Sequence, residues 1–151
     1  MILLDTHAAI WLAIDKGLGR QSQRIADKAL ADDRLAVSAF SFWELAMLIA
    51  KRRLRALKSA GELRAKLLIA GIRELPLTGE IAILAAELDA LNGDPADRII
   101  AATAIAYEAT LMTADENLLK WRHRLKRQDA CQCNRRCRVL PDRGPRGATA
   151  R

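Results

Sequence analysis

Four carboxylates, Asp5, Glu44, Asp97 and Asp115, stand where short apolar runs give way to helix-forming sequence. In open parallel sheets ligands bind beyond the carboxyl ends of the strands, and this reading puts the four acids there, with no Lys among them. Several carboxylates in one cleft repel each other unless a cation sits among them. A set of oxygen donors without His or Cys suits a hard divalent ion, Mg2+ or Mn2+, better than zinc. Such an ion can activate a bound water and offset negative charge that builds on a reacting group.

Each acid also has a purely structural use. Ser41-Phe42-Trp43-Glu44 spells an S-x-x-E capping box. Asp94-Pro95-Ala96-Asp97 reads as a helix start, with Asp94 as N-cap, Pro95 at the first position and Asp97 favoured by the helix dipole. Thr113-Ala114-Asp115-Glu116 spells a second capping box, with Asp115 in the first turn. Capping is the commoner use for each of these three taken singly. Asp5 is different: it follows three aliphatic residues, where desolvating a charge is costly, and Thr6 could cap the next helix without it.

The elements that must position these residues alternate between short apolar runs and helical periods. Strands are expected at Ile2–Leu4, Leu35–Val37, Glu74–Leu77 and Thr110–Met112, the third at an edge because of Pro76. Helices are expected at Thr6–Ile14, Gln21–Ala31, Phe42–Leu57, Ala60–Ile72, Gly79–Leu91, Pro95–Glu108 and Asp115–Trp121, with Asn92-Gly93 as a break. Strands separated by helices of this length imply right-handed crossovers and a parallel sheet covered on both faces.

Composition bounds the rest. At 151 residues, 51% hydrophobic and 28% charged, the chain suits one globular domain. Its longest stretches free of Asp, Glu, Lys and Arg are nine residues, too short for a membrane span. An acid at position 5 interrupts what would be a signal peptide, so a cytoplasmic protein is expected, with disulfides disfavoured. The net charge of +7 is uneven: residues 1–125 carry +1 and residues 126–151 carry +6. A folded body that binds a polyanion must therefore use a local cluster or a metal. Lys51, Arg52, Arg53, Arg55 and Lys58 form one such cluster, equally explained as cations at a helix C-terminus. Arg98 could pair with Asp97 or with a phosphate. All three cysteines, Cys131, Cys133 and Cys137, lie in an Arg-, Pro- and Gly-rich stretch with too few ligands at the right spacing for structural zinc. Residues 1–129 are read as the domain and 130–151 as a disordered basic extension.

A family resemblance rests on four segments together: Met1-Ile2-Leu3-Leu4-Asp5-Thr6-His7-Ala8, Val37 to Glu44, Gly93 to Ala104, and Leu111-Met112-Thr113-Ala114-Asp115-Glu116. They resemble the four motifs of PIN-domain ribonucleases, and more closely those of the VapC-type toxins of bacterial type II toxin–antitoxin modules. The resemblance implies a PIN-like three-layer α/β/α sandwich with a central, mainly parallel sheet, and Mg2+- or Mn2+-dependent cleavage of RNA to 5′-phosphate and 3′-hydroxyl ends. It makes Asp5 and Asp97 the principal metal ligands, with Glu44 and Asp115 completing the acidic site. Thr6 and Thr113 match hydroxyl residues that orient carboxylates, and Asp94 matches an acid that either supports the site or merely caps the helix. Attack by a ribose 2′-hydroxyl would want a His pair, and neither His7 nor His123 has a supporting pattern.

The same resemblance implies a homodimer silenced by a small antitoxin whose C-terminal segment enters the acidic cleft. Trp11, Phe40, Phe42, Trp43 and Met47 could line that groove or serve as ordinary core. The alternatives are a PIN nuclease of RNA processing and a catalytically idle RNA-binding or interaction protein on the same fold.

Overall fold

A computed structural model of the chain describes residues 1–54, 58–88, 91 and 94–131. Within them the order is β1 (Ile2–Leu4), α1 (Thr6–Ala13), α2 (Arg20–Ala31), β2 (Leu35–Ser38), α3 (Ala39–Ala50) and α4 (Ala60–Ile69). Then follow β3 (Arg73–Leu75), α5 (Gly79–Glu87), α6 (Pro95–Ala106), β4 (Thr110–Thr113), α7 (Glu116–Lys120) and β5 (Arg127–Asp129). The five strands form one parallel sheet ordered β3-β2-β1-β4-β5, with Leu4 level with Val37 on one side and Met112 on the other.

Successive strand residues point to opposite faces, and this divides the core in two. Leu4, Leu35, Val37 and Met112 pack with α1, α2 and α4 on one face, while Leu3, Ala36 and Leu111 pack with α5, α6 and Leu118 of α7 on the other. The result is a three-layer α/β/α sandwich, as expected. β3 with Pro76 beyond it lies at an edge, also as expected. No helix is long and apolar enough to cross a membrane among the described residues.

Several boundaries differ from the sequence reading. α3 starts at Ala39, three residues before the expected Phe42, because the hydroxyl of Ser38 accepts from the amide of Phe40 and caps it. It ends at Ala50, not Leu57, because Arg52 turns left-handed at φ 55° and the amides of Arg52 and Arg53 close back on Ile49 and Leu48. β5 was not expected at all. Arg127-Gln128-Asp129 contains no apolar residue, yet it pairs with Leu111 to Thr113 at the sheet edge. Ala130 and Cys131, read as the head of the extension, are buried, and Ala130 accepts from Gly19 and donates to Thr113. Residues 132–151, with Cys133 and Cys137, lie outside the described residues, as does the expected break at Asn92-Gly93.

Between α1 and α2, Gly17 has φ 108°, and a Cβ there would come within 2.6 Å of the Trp11 ring. Both the conformation and the contact demand glycine. Gly17→Ala is expected to lower stability by about 2–4 kcal/mol, read as an earlier denaturant midpoint with unchanged slope.

Candidate active site

The carboxyl ends of β1, β2 and β4 open into a cavity of about 370 Å³. Its walls carry Asp5, Glu44, Asp94, Asp97 and Asp115, with Thr6, His7, Arg53 and Asn117, over an apolar base that includes Ile10, Leu48 and Ile100. The four acids expected to converge, from segments far apart in sequence, do line one space.

Asp5 leaves β1 with its amide donating to Met112 across the strand gap, and it is 4% exposed. Its Oδ1 accepts from the Ala8 amide at 2.6 Å, so Asp5 is the N-cap of α1. The cap was read as not requiring Asp5, with Thr6 able to supply it, and that reading is corrected. Thr6 is the first helical residue, and its hydroxyl instead donates to Oε2 of Glu44 at 2.5 Å. Because α3 starts at Ala39, Ser41 and Glu44 lie inside the helix, and the capping-box reading of that pair is also wrong. Glu44 is free to face the cavity from the second turn.

Asp94 caps α6 as expected, accepting from Ala96 at 3.1 Å, and Asp97 sits in the first turn. Asp115 is itself the N-cap of α7, its Oδ1 accepting from the amides of Asn117 and Leu118 at 2.8 and 3.0 Å. This corrects the second capping box, in which Thr113 was to be the cap. Thr113 instead accepts the Asp115 amide at 3.0 Å and steadies the turn. Capping and lining are therefore compatible. Asp5, Asp94 and Asp115 each use one oxygen on backbone amides, and among the described residues the other oxygen accepts no hydrogen bond.

The electrostatics follow from this crowding. Burial first, then the charges of Asp115, Glu44, Asp94 and Asp5, push the Asp97 carboxyl up to about 7. Burial also raises Glu44, with Asp5 and Asp94 adding to the rise, while the Thr6 hydroxyl and the His7 charge oppose it.

The donor set is oxygen-rich, and the repulsion within it is what a cation would relieve. Among the described residues no three Asp, Glu, His or Cys groups are close enough to hold one ion in common. Oxygen donors without Cys suit Mg2+, which is held by one or two carboxylates and keeps several waters, better than zinc.

The basic residues singled out from the sequence have different fates. Arg53 lines the cavity, whereas Lys51 and Arg52 are exposed outside its lining and Arg55 lies outside the described residues. Arg98 does not pair with Asp97. Its guanidinium donates to the carbonyls of Ala85, Ala86, Leu88 and Leu91 and ties the end of α5 to α6. Of the large apolar residues, Trp11 is core at 6% exposure, Phe40 and Phe42 are half-buried, and Trp43 and Met47 are exposed at 56% and 36%. Phe40 and Trp43 stack at 5.1 Å between ring centroids.

Two cavity residues escaped the sequence reading. His7 was weighed only as half of a catalytic pair, although its place two residues after Asp5, in the first turn of α1, puts it in the cavity wall. Asn117 had the same kind of signal, being two residues after Asp115.

Residues 2–123 match the PIN domain family, and the chain belongs to it. Within the family it is 36% identical over 124 residues to Ribonuclease VapC22 of Mycobacterium tuberculosis, a match covering 81% of this chain and 92% of that protein. Three solved structures share the fold. VapBC2 from Rickettsia felis, bound to a DNA fragment from their promoter, matches at TM-score 0.61 and 22% identity, over 85% of this chain and 98% of that one. A toxin–antitoxin complex from Klebsiella pneumoniae gives 0.54 and 20%, over 81% and 93%. FitAcB from Neisseria gonorrhoeae gives 0.53 and 25%, over 78% and 89%.

Proposed function

We propose that this chain is a Mg2+-dependent endoribonuclease, the toxin of a type II toxin–antitoxin module, with Mn2+ as an alternative metal. The observation that carries the reading is the convergence of Asp5, Glu44, Asp97 and Asp115 on one cavity, where mutual repulsion and burial leave Asp97 half-protonated near neutrality. The likeness to a ribonuclease over most of both chains supports the activity. The likeness to toxin–antitoxin complexes supports the fold on which such a partner is held.

In this reading Asp5 and Asp97 hold the ion, and Glu44 and Asp115 complete the acidic wall. A bound Mg2+ would supply a more acidic water and offset the charge that builds on the phosphoryl oxygens. The protein's own part is positional. The Ala8 amide fixes the Asp5 carboxylate, the Thr6 hydroxyl fixes Glu44, and the α7 amides with Thr113 fix Asp115. Asp94 holds the first turn of α6, on which Asp97 stands. Arg53 at the rim attracts an RNA phosphate towards the acids, and Lys51, Arg52 and Arg55 extend the basic approach. Arg98 keeps the α5–α6 junction in place and has little left for RNA.

The nuclease domain covers residues 1–129, with 130–151 as a basic extension packed on it at Ala130 and Cys131. The protein is cytoplasmic and dimeric, and a basic antitoxin segment enters the acidic cavity and keeps RNA out. Trp43 and Met47, exposed on α3, offer that partner apolar contact.

Induced expression tests the proposal. The wild type should arrest growth and fragment cellular RNA, while Asp5→Ala and Asp97→Ala should do neither at equal soluble protein. RNA cleavage without arrest would move the chain to RNA processing. Identical behaviour of all three cultures would reduce the acids to structural roles and leave an interaction protein.

A further inference from the structure

At the amino ends of β4 and β5, at the end of the sheet away from the acidic cavity, lies a second cavity of about 330 Å³. It is lined by His123, Arg124 and Lys126 over an apolar floor that includes Ile105, Ala109 and Leu125, with Glu108 as its one acid among the described residues. These cations belong to the run Lys120-Trp121-Arg122-His123-Arg124-Leu125-Lys126-Arg127, which carries five Lys or Arg in eight residues.

Two members of the run serve the fold. Lys120 pairs with Glu116 at 2.8 Å, and Arg127 donates to the carbonyls of Leu118, Trp121 and His123. Arg122, Arg124 and Lys126 are exposed and have no acidic partner among the described residues. Their positive field is therefore not discharged within the described protein.

His123 is built in more firmly than an exposed side chain needs to be. Its ring lies on the buried Trp121 indole at 4.3 Å and 7° between planes, and its Nδ1 accepts from the Leu125 amide at 3.1 Å. One face of the imidazole is thus fixed against the protein, and the ring is exposed. A flat ring of fixed orientation beside uncompensated Arg and Lys is the arrangement that receives a nucleobase and its phosphates.

We propose that this second cavity binds single-stranded RNA, with His123 as a stacking platform for one base and Arg124 and Lys126 on the flanking phosphates. The site goes beyond the acidic cavity and does not depend on its activity. A strand held there is anchored at the end of the sheet away from the acids, so the residues act on affinity and not on the hydrolytic step.

The test uses the full chain in EDTA with a fluorescent single-stranded oligoribonucleotide, read by anisotropy. Arg124→Glu with Lys126→Glu should weaken binding at least tenfold. The matched reversal Arg24→Glu with Lys28→Glu, on exposed positions of α2, should weaken it less than threefold. His123→Ala should weaken it about fivefold while leaving the salt dependence unchanged, whereas the charge reversal should lower the salt slope by about two. Equal losses from the two reversals would reduce the effect to net charge and overturn the site. Binding of free AMP, followed through the Trp121 indole resonance, without any effect of these substitutions on RNA would assign the cavity to a free nucleotide and also overturn the proposal.

Discussion

Replacing Asp97 by Asn is expected to stop RNA cleavage, by about a thousandfold or more, and at the same time to make the metal-free protein more stable at pH 8. The two effects have one cause. Burial and four neighbouring carboxylates hold the Asp97 pKa at about 7, above the 3.8 of an unperturbed aspartate. The folded state then binds more protons than the unfolded chain between these values, so this group's contribution to stability falls as pH rises from about 4 to about 7 and stays low above that. The loss amounts to about 2–4 kcal/mol. Asn cannot ionise and escapes it, so the melting temperature at pH 8 should rise by roughly 5–10 °C, with little gain at pH 4. Added Mg2+ should raise the melting temperature of the wild type and not of the variant. Thermal melts at the two pH values, with and without the ion, check every part of this. A variant less stable than the wild type at pH 8 would mean that Asp97 is held by something other than repulsion and burial.

The second large effect is on metal affinity as a function of pH. Below about pH 7 Asp97 is mainly protonated, so an ion can bind only by displacing that proton. Affinity for Mn2+ should therefore rise about tenfold per pH unit towards pH 7 and flatten above it. Glu44, also raised, adds to the slope at the acid end. Calorimetric titration between pH 5.5 and 8 reads the slope directly, together with the proton released to buffer. Asp97→Asn should flatten the profile as well as weaken binding.

Much of this was legible in the sequence because buried parallel strands and amphipathic helices announce themselves. Ile2–Leu4 is β1 as read, and Thr110–Met112 lacks only Thr113 of β4. The acids were legible for a second reason: Asp5 follows an apolar strand, where a carboxylate has no cheap use. What was hidden was local. Asp5 was set apart because the helix cap did not require it, yet it caps α1, and one carboxylate does both jobs because an N-cap occupies a single oxygen. The S-x-x-E pattern at Ser41 was a false cap because a better serine, Ser38, stood three residues earlier at the end of β2. β5 left no trace because its three residues are polar and half-buried at an edge, where pairing with β4 needs no apolar side chain. Arg98 looked like a site residue by its neighbour, and only the loop after α5 reveals its carbonyl partners. His7 and Asn117 lacked a chemical signature and could be found only by position.

Asp5 and Asp97 are proposed to form one metal centre that hydrolyses RNA. The most direct test is cleavage of a labelled RNA by the purified chain over a range of Mg2+ concentrations, alone and with excess EDTA, beside Asp5→Asn and Asp97→Asn. Products with 5′-phosphate ends should appear only with the ion and only with both acids intact. Cleavage that persists in EDTA, or in either variant at the wild-type rate, would contradict it.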